Sequence, residues 1–350
     1  MAFENLSERE LQILSNLVSH YIKSADPVGS RVLANKFKMG ISSATVRNTL
    51  QDLEELGLVV QPHTSAGRVP TDQGYRVYVD YLLKPDRLSA TEKEAIKSTI
   101  LQEGRGLQEM LGQTARLLSD VTHQLGLTLA PRFESGILQA VRLIPLAEDR
   151  IMVVVIVESG LARSVILEVE ARIKESEIVE VEAVLNEKLA GLTLAEIRRT
   201  LIDRLKTVSG HGRLVKLVMD SRDRIWTDQR DETIHIAGTD NLISMPEFAD
   251  REQLLQILKV LDDSKVLSDF IRQAEHEGLV ITIGKENNLA QIMSCSLVTS
   301  TYKVGKISGT IGVIGPTRMP YSKLVSVVQY TAKSITEVLS GLEYNEGDTQ

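Results

Sequence analysis

Apolar residues recur at helical spacing from the start of the chain. Leu11, Leu14, Val18, Tyr21 and Ile22 fall on one side of a helix that Ser7 and Glu10 open with a capping-box pattern. The turn chemistry of Ser24-Ala-Asp-Pro27-Val-Gly29 ends it at about Lys23, and Ser30 can cap a short second helix carrying Val32, Leu33 and Phe37. Met39-Gly40-Ile41 forms a tight turn. Ser42 then caps a third helix that runs to Leu56, with Gly57 just past its end. In that helix Val46, Leu50 and Leu53, at i, i+4 and i+7, should pack inward. The period then switches from helix to strand: Leu58–Pro62 reads as a strand, His63–Arg68 as a turn, and Val69-Pro70 as the return. Three helices followed by a two-stranded hairpin predict a winged helix-turn-helix domain over residues 1–85. Thr71 or Asp72 caps one more helix, whose Tyr75, Tyr78 and Leu82 read as core, not as a platform for stacked bases.

Farther on, Ser89 and Glu92 form a second capping box. Ile96, Ile100, Leu107, Leu111, Leu118, Val121 and Leu125 predict helix to about Gly126, interrupted near Gly104-Arg-Gly106. Leu138–Leu146, Arg150–Val157 and Ala162–Val169 predict an antiparallel meander turning at Asp149 and Gly160, with the almost wholly apolar middle strand central. From Ala171 to about Arg224 the pattern is helical. One helix carries Ile178, Val181, Leu185 and Leu189 and stops at Gly191. Thr193 and Glu196 cap the next, with Ile197, Leu201, Leu205 and Val208, and a short segment holds Leu214, Leu217 and Val218. Strand patterning resumes at Thr233–Ile236, a helix pair fills Asp250–Ala274, strands return at Gly278–Ile283, Ile292–Tyr302 and Gly309–Val313, and a last helix runs from Tyr321 to about Leu342. A sheet that is interrupted by a helical block and then completed predicts an α+β multidomain chain with one domain inserted in another.

Length and composition add bounds. At 350 residues and 43% apolar, the chain is a globular protein of two or three domains. Its net charge of −7 argues at first against nucleic acid as a partner. Where the charge sits reverses that inference. Residues 1–85 hold nine Lys+Arg and nine Asp+Glu, so the whole excess lies beyond them. Between Gly29 and Gln51 stand Arg31, Lys36, Lys38 and Arg47 with no acid, while Glu4, Glu8, Glu10 and Asp26 precede this stretch and Asp52, Glu54 and Glu55 follow it. The third helix turns Ser43, Thr45, Arg47, Asn48 and Gln51 away from its core face, where an ordinary surface helix would mix Glu with Lys. Hydroxyls, amides and guanidinium read base edges, and carboxylates would repel phosphates. Arg47, Asn48, Gln51 and Thr45 are therefore the expected base readers. Ser42 and Ser43, at the helix N-terminus, suit phosphate contact. Arg31, Lys36, Lys38, His63 and Arg68 are expected on the DNA backbone, with the hairpin carrying His63 or Arg68 to the backbone or minor groove. One such domain reads only a few base pairs, so a homodimer on an inverted repeat is expected.

Other chemistry is poorly represented. A lone cysteine, Cys295, excludes a disulfide framework and cysteine-based zinc fingers and fits a reducing compartment. The six histidines (20, 63, 123, 211, 235 and 276) have no metal-ligand spacing. There is no phosphate-binding glycine motif; Gly305, Gly309, Gly312 and Gly315 lie among alternating apolar residues and read as hairpin and turn positions. Ser300-Thr-Tyr-Lys303 matches a Ser-x-x-Lys motif, but in a β-patterned run and not at the helix start that chemistry requires. No enzyme activity and no cofactor are expected. Met1-Ala2-Phe3-Glu4 opens no secretory leader, and the longest strongly apolar run, Ile151–Val157, is far short of the roughly twenty residues that span a bilayer. A cytoplasmic protein without a membrane partner is expected.

Four segments carry a family resemblance: Ser42-Ser-Ala-Thr-Val-Arg-Asn48, Leu53-Glu-Glu-Leu-Gly57-Leu, His63-Thr-Ser-Ala-Gly-Arg-Val-Pro-Thr71 and Ile314-Gly-Pro-Thr-Arg-Met-Pro-Tyr-Ser322. In this order, at both ends of the chain, they resemble the HrcA family of heat-inducible transcription repressors over essentially the whole length. The Thr-Ser-Ala-Gly-Arg-Val-Pro wing and the Gly-Pro-Thr-Arg-Met turn are the specific signatures. The resemblance implies a GAF-like sheet domain interrupted by a dimerising insertion; the pattern along the chain puts the sheet domain at 86–170 and 233–345 and the insertion at 171–232. The resemblance also implies an operator, the CIRCE inverted repeat upstream of chaperone operons such as those of the GroE and DnaK systems. The partner it implies is the GroEL chaperonin, which keeps the repressor in its DNA-binding form until heat diverts it to unfolded clients. Two other readings stand beside this one: a small-molecule-responsive regulator with the GAF-like domain as sensor, and an interaction protein whose N-terminal module binds another protein.

Overall fold

In the computed structural model, residues 6–37, 40–64, 66–101, 106–169, 173–206, 212–226, 234–273 and 277–341 are described. Lys38 and Met39, Gly104 and Arg105, and Thr233 lie outside the described residues. The chain divides into two compact units: residues 1–128, 235–300 and 311–332, and residues 129–234, 301–310 and 333–350.

The first unit opens with α1 (Glu8–Ser24), α2 (Ser30–Lys36) and α3 (Ser43–Glu55), followed by the hairpin β1 (Val59–Val60) and β2 (Val69–Pro70). The capping box of α1 is complete: the Ser7 hydroxyl accepts from the Glu10 N–H, and Glu10 accepts from the Ser7 N–H at 2.7 Å. Ile13, Leu14, Leu17 and Val18 of α1 are buried, as are Leu33 of α2 and Val46, Leu50 and Leu53 of α3. Ser30 is the first residue of α2 and Gly29 is its cap, without a side-chain bond. The helix begins one residue early, just past Val28, which is held in a two-way backbone bridge with Arg68 at 2.9 and 3.0 Å. Gly57 closes α3 with φ +72, a conformation that suits glycine. Thr71, not Asp72, caps α4 (Asp72–Val77), whose last turn widens into a π turn over Tyr78–Leu82.

After α5 (Ala90–Ile100) and α6 (Leu107–Thr122), the expected helix to Gly126 gives way to a strand, β3 (Leu125–Leu129). His123, at φ 54, ends α6 in the left-handed conformation, and every residue of β3 is buried. Residues 129–234 belong to the second unit. They include the meander β4 (Leu138–Ala147), β5 (Arg150–Val157) and β6 (Ala162–Glu168), then α7 (Glu175–Leu189), α8 (Leu194–Leu205), α9 (Gly212–Asp220) and α10 (Arg222–Trp226). The strand order β4-β5-β6, antiparallel throughout, is the expected meander. Its partner differs from expectation. Val141, Val153, Val155 and Leu167 of the meander share one core with Val181, Leu185, Leu201 and Trp226 of the helical block. Asn186 of α7 also completes the edge of β4, accepting from the Val141 N–H at 2.7 Å and donating to the Val141 carbonyl at 2.9 Å. The meander and the helical block, which the pattern had put in different domains, thus share one core within the second unit.

The chain then adds β7 (Ile234–Ala237), α11 (Thr239–Ile243), α12 (Arg251–Asp262), α13 (Ser264–Gln273), β8 (Leu279–Ile283), β9 (Cys295–Val304), β10 (Ile307–Pro316) and α14 (Tyr321–Leu339). The second sheet has the order β7-β3-β10-β9-β8. Gly305 makes the β9–β10 turn at φ +60, but Gly309, Gly312 and Gly315 lie inside β10; a Cβ on Gly312 would sit 2.4 Å from the Val298 carbonyl oxygen of the neighbouring strand. Ser300 lies within β9, paired with Leu279 of β8. Among the described residues no helix is long and apolar enough to cross a membrane.

Candidate nucleic-acid interface

Ser42 organises the start of α3. Its hydroxyl accepts from the Thr45 N–H at 3.1 Å and meets the Thr45 hydroxyl at 3.0 Å. One orphan helix donor is satisfied in this way, and Thr45 is drawn half under the surface. Thr49 is buried and donates to the Thr45 carbonyl at 3.2 Å, which adds a polar residue to the inward face of Val46, Leu50 and Leu53. The outward face is then Ser43, Arg47, Asn48 and Gln51, all exposed. This stripe stays free of carboxylate until its last turn, where Gln51 donates to Glu55 at 3.3 Å. The helix therefore presents guanidinium, amide and hydroxyl groups on a rigid rod, the donor and acceptor set that major-groove base edges match.

Arg31 and Lys36 are exposed on α2. The Lys36 ammonium lies 3.1 Å from Nδ1 of His20. Because an ammonium can only donate, Nδ1 must accept there, which puts the ring proton of neutral His20 on Nε2. Burial first and the Lys36 charge second hold the His20 pKa below its usual value, so this arrangement is self-consistent. The predicted anchor Lys38 lies outside the described residues.

In the wing, His63 is exposed at the turn. Arg68 is placed otherwise. Its side chain is 19% exposed and pairs through the guanidinium with Glu54 of α3 at 2.7 Å, and its main chain makes the bridge to Val28. Glu54 also accepts from the Gln61 N–H at 3.1 Å, so one carboxylate grips both sides of the hairpin. Gln61 in turn donates to the carbonyls of Thr64 and Ala66, each at 3.0 Å. Gly67 belongs to the same brace: a Cβ there would fall 2.4 Å from the Val28 carbonyl carbon. The structure thus brings Ser43, Arg47, Asn48 and Gln51 onto one open face and turns Arg68 inward to tie the wing to the helix. Glu54 and Gln61 were not singled out by the sequence pattern. Their partners lie 14 residues away and in a turn, respectively, and no helical or strand period registers either.

Comparisons with known proteins agree with this geometry. Residues 5–80 match the family model for the HrcA DNA-binding winged helix-turn-helix transcription repressor domain, and residues 108–325 match the HrcA protein C-terminal domain. The heat-inducible transcription repressor HrcA of Pelotomaculum thermopropionicum is 37% identical over 98% of this chain and 99% of its own length. The namesake protein of Geobacter sulfurreducens is 36% identical over 96% and 99%, and that of Ruminiclostridium cellulolyticum 34% over 95% and 97%. A crystal structure described as a hypothetical protein has the same fold, with a TM-score of 0.61 and 23% identity over 96% of this chain and 99% of that one.

Proposed function

This chain belongs to the HrcA family of heat-inducible transcription repressors and carries that family's DNA-binding winged helix, and on that premise we propose how it reads its operator. Two copies bind an inverted repeat of the CIRCE type, each laying α3 in one major groove. Arg47, Asn48 and Gln51 read base edges, with Thr45 beside them at the helix start. Ser42 and Ser43, together with Arg31, Lys36 and Lys38 of the preceding segment and His63 of the wing, meet the phosphates. The observation that carries this reading is the exposed stripe of Ser43, Arg47, Asn48 and Gln51, set on the one stretch of the N-terminal domain that has cations and no acid.

The twofold partner is a second copy of the chain. The outward face of the meander supports this, because Ile144, Met152 and Ile166 stand in register across its three strands, with Ile144 41% and Ile166 49% exposed. The operons controlled are those of the chaperones, in the cytoplasm, and the GroEL chaperonin keeps the repressor active until heat diverts it. In this scheme the five-stranded sheet is the GAF-like domain. A ligand-sensing variant of the reading has one observation behind it: a cleft of about 580 Å³ in the first unit, lined by Asp72, Glu247, Gln253, Lys285 and Thr317 among others. A metabolite that raises the melting temperature and alters operator binding would favour it.

The deciding experiment is a mobility shift with the inverted-repeat duplex and a scrambled duplex of equal length. A preference for the repeat that drops by about 1–3 kcal/mol in Arg47→Ala, at one base position, supports base reading. An equal loss on both duplexes makes Arg47 a phosphate contact.

A further inference from the structure

Several contacts hold the winged-helix segment to the rest of its own unit through α1 and α4. Arg318 stands in the short connection between the Gly315-Pro316 end of β10 and α14. It donates through Nη1 to the Ile22 carbonyl at 2.7 Å, while its Nε pairs with Glu247. Ile22 lies in the last turn of α1, where carbonyls lack intrahelical partners and the helix dipole favours a cation. Farther along, Arg76 of α4 donates to Glu286 through Nε at 2.8 Å and to the Ile281 carbonyl through Nη2 at 2.7 Å. The Asp72 carboxylate accepts from the Lys285 N–H at 3.0 Å. Gly284, at φ +56, makes room for it, since a Cβ there would stand 2.2 Å from that carboxylate. Tyr75 and Tyr321, both buried, meet with ring centres 5.9 Å apart.

The arrangement is a pair of charged clamps with an aromatic contact. Arg318 is 19% exposed and Arg76 27%, and each binds a main-chain carbonyl as well as a carboxylate, which makes the attachment directional. A clamped reader cannot swivel on the body that carries it. We propose that Arg318 and Arg76 are positioning residues that set which half-site spacing the repressor accepts, an inference that rests on the two-copy reading given above. One added base pair turns a half-site by about 35° and moves it about 3.4 Å. Two rigidly held readers lose contacts to such a site, whereas tethered ones follow it. The signature turn near the C-terminus thereby serves DNA recognition from a place that touches no DNA.

The test measures the affinity of full-length chain for three duplexes: the inverted repeat, the same repeat with one base pair added to its spacer, and a single half-site. In Arg76→Ala/Arg318→Ala the ratio of the first two affinities should fall about tenfold, the worth of roughly one charged hydrogen bond, while half-site affinity is kept. Arg318→Lys, which retains the cation and one donor to Ile22, should recover part of the ratio. Hydrogen exchange on the DNA-free double variant should show the Lys285 amide losing protection while that of Val46 in α3 keeps it. An unchanged spacing ratio, or a half-site affinity that falls in step with it, overturns the positioning role. A wild type indifferent to spacing, with the exchange result as expected, locates the failure in the two-copy reading and removes the spacing role with it. Unchanged exchange beside an intact wild-type preference overturns the clamp alone.

Discussion

Arg68 shows what one side chain can do that its residue type does not announce. An arginine in the wing of a DNA-binding domain suggests a phosphate contact, yet here the side chain is 19% exposed and its charge is matched by Glu54. The two roles make different predictions. A phosphate contact contributes counterion release, so its loss flattens the dependence of log K on log salt by about one unit. A brace contributes only through geometry, so its loss weakens binding while the salt slope stays put. We expect Arg68→Ala and Glu54→Ala each to weaken operator binding by a similar amount, on the order of 1 kcal/mol, and the double variant to be scarcely worse than either. Fluorescence anisotropy across a salt series measures both quantities. Additive losses, or a slope that falls only with Arg68→Ala, would place Arg68 on the DNA backbone. Thr45 bears on the same point: its hydroxyl is engaged with Ser42, so it can meet a base only by sharing that bond.

At the scale of elements, α3 stands on its cap. Ser42→Ala removes the acceptor of the Thr45 N–H and should cost about 1 kcal/mol in urea unfolding, whereas Ser43→Ala, one residue on and exposed, should cost little. Equal effects at both positions would mean that the cap is not what fixes the helix start. Such local signals were legible beforehand: the capping boxes at Ser7, Ser89 and Thr193, the turn at Gly57 and the meander all form as the pattern predicts. Two features were not legible, for physical reasons. β3 is buried at every position, so it lacks the alternation that marks a half-buried strand, and Leu118, Val121 and Leu125 continue a helical spacing into it. The helix stops at His123 in a left-handed conformation without the glycine that usually signals it. The sharing of one core by the meander and α7–α10 was hidden too, because periodicity tells which face of an element is buried but not which distant element covers it. The same limit hid Glu54, whose partners come from the wing.

For the molecule as a whole, the acidic charge and the reading surface are separated along the chain, since all of the −7 lies beyond residue 85. A body of that sign discourages indiscriminate attachment to DNA, so in the proposed two-copy arrangement occupancy comes from specific contacts multiplied by pairing two readers on one operator. That proposal places weight on the surface that would join the copies. The outward side of the meander is an unusual place for Ile144 and Ile166, because the opposite side already supplies the core with Val153 and Val155. Their side chains can be changed without opening that core. Ile144→Asp/Ile166→Asp should therefore leave the circular dichroism spectrum and the cooperative melt intact. In sedimentation it should shift dimer to monomer, because two charges would have to be desolvated in each copy. Affinity for the inverted repeat should then drop by about a hundredfold or more, toward that of a single half-site, because the second reader no longer arrives with the first. A variant that stays dimeric at the same concentration would remove this face from the interface and send the search to the helical side of the insertion, where Val179 of α7 is 64% exposed.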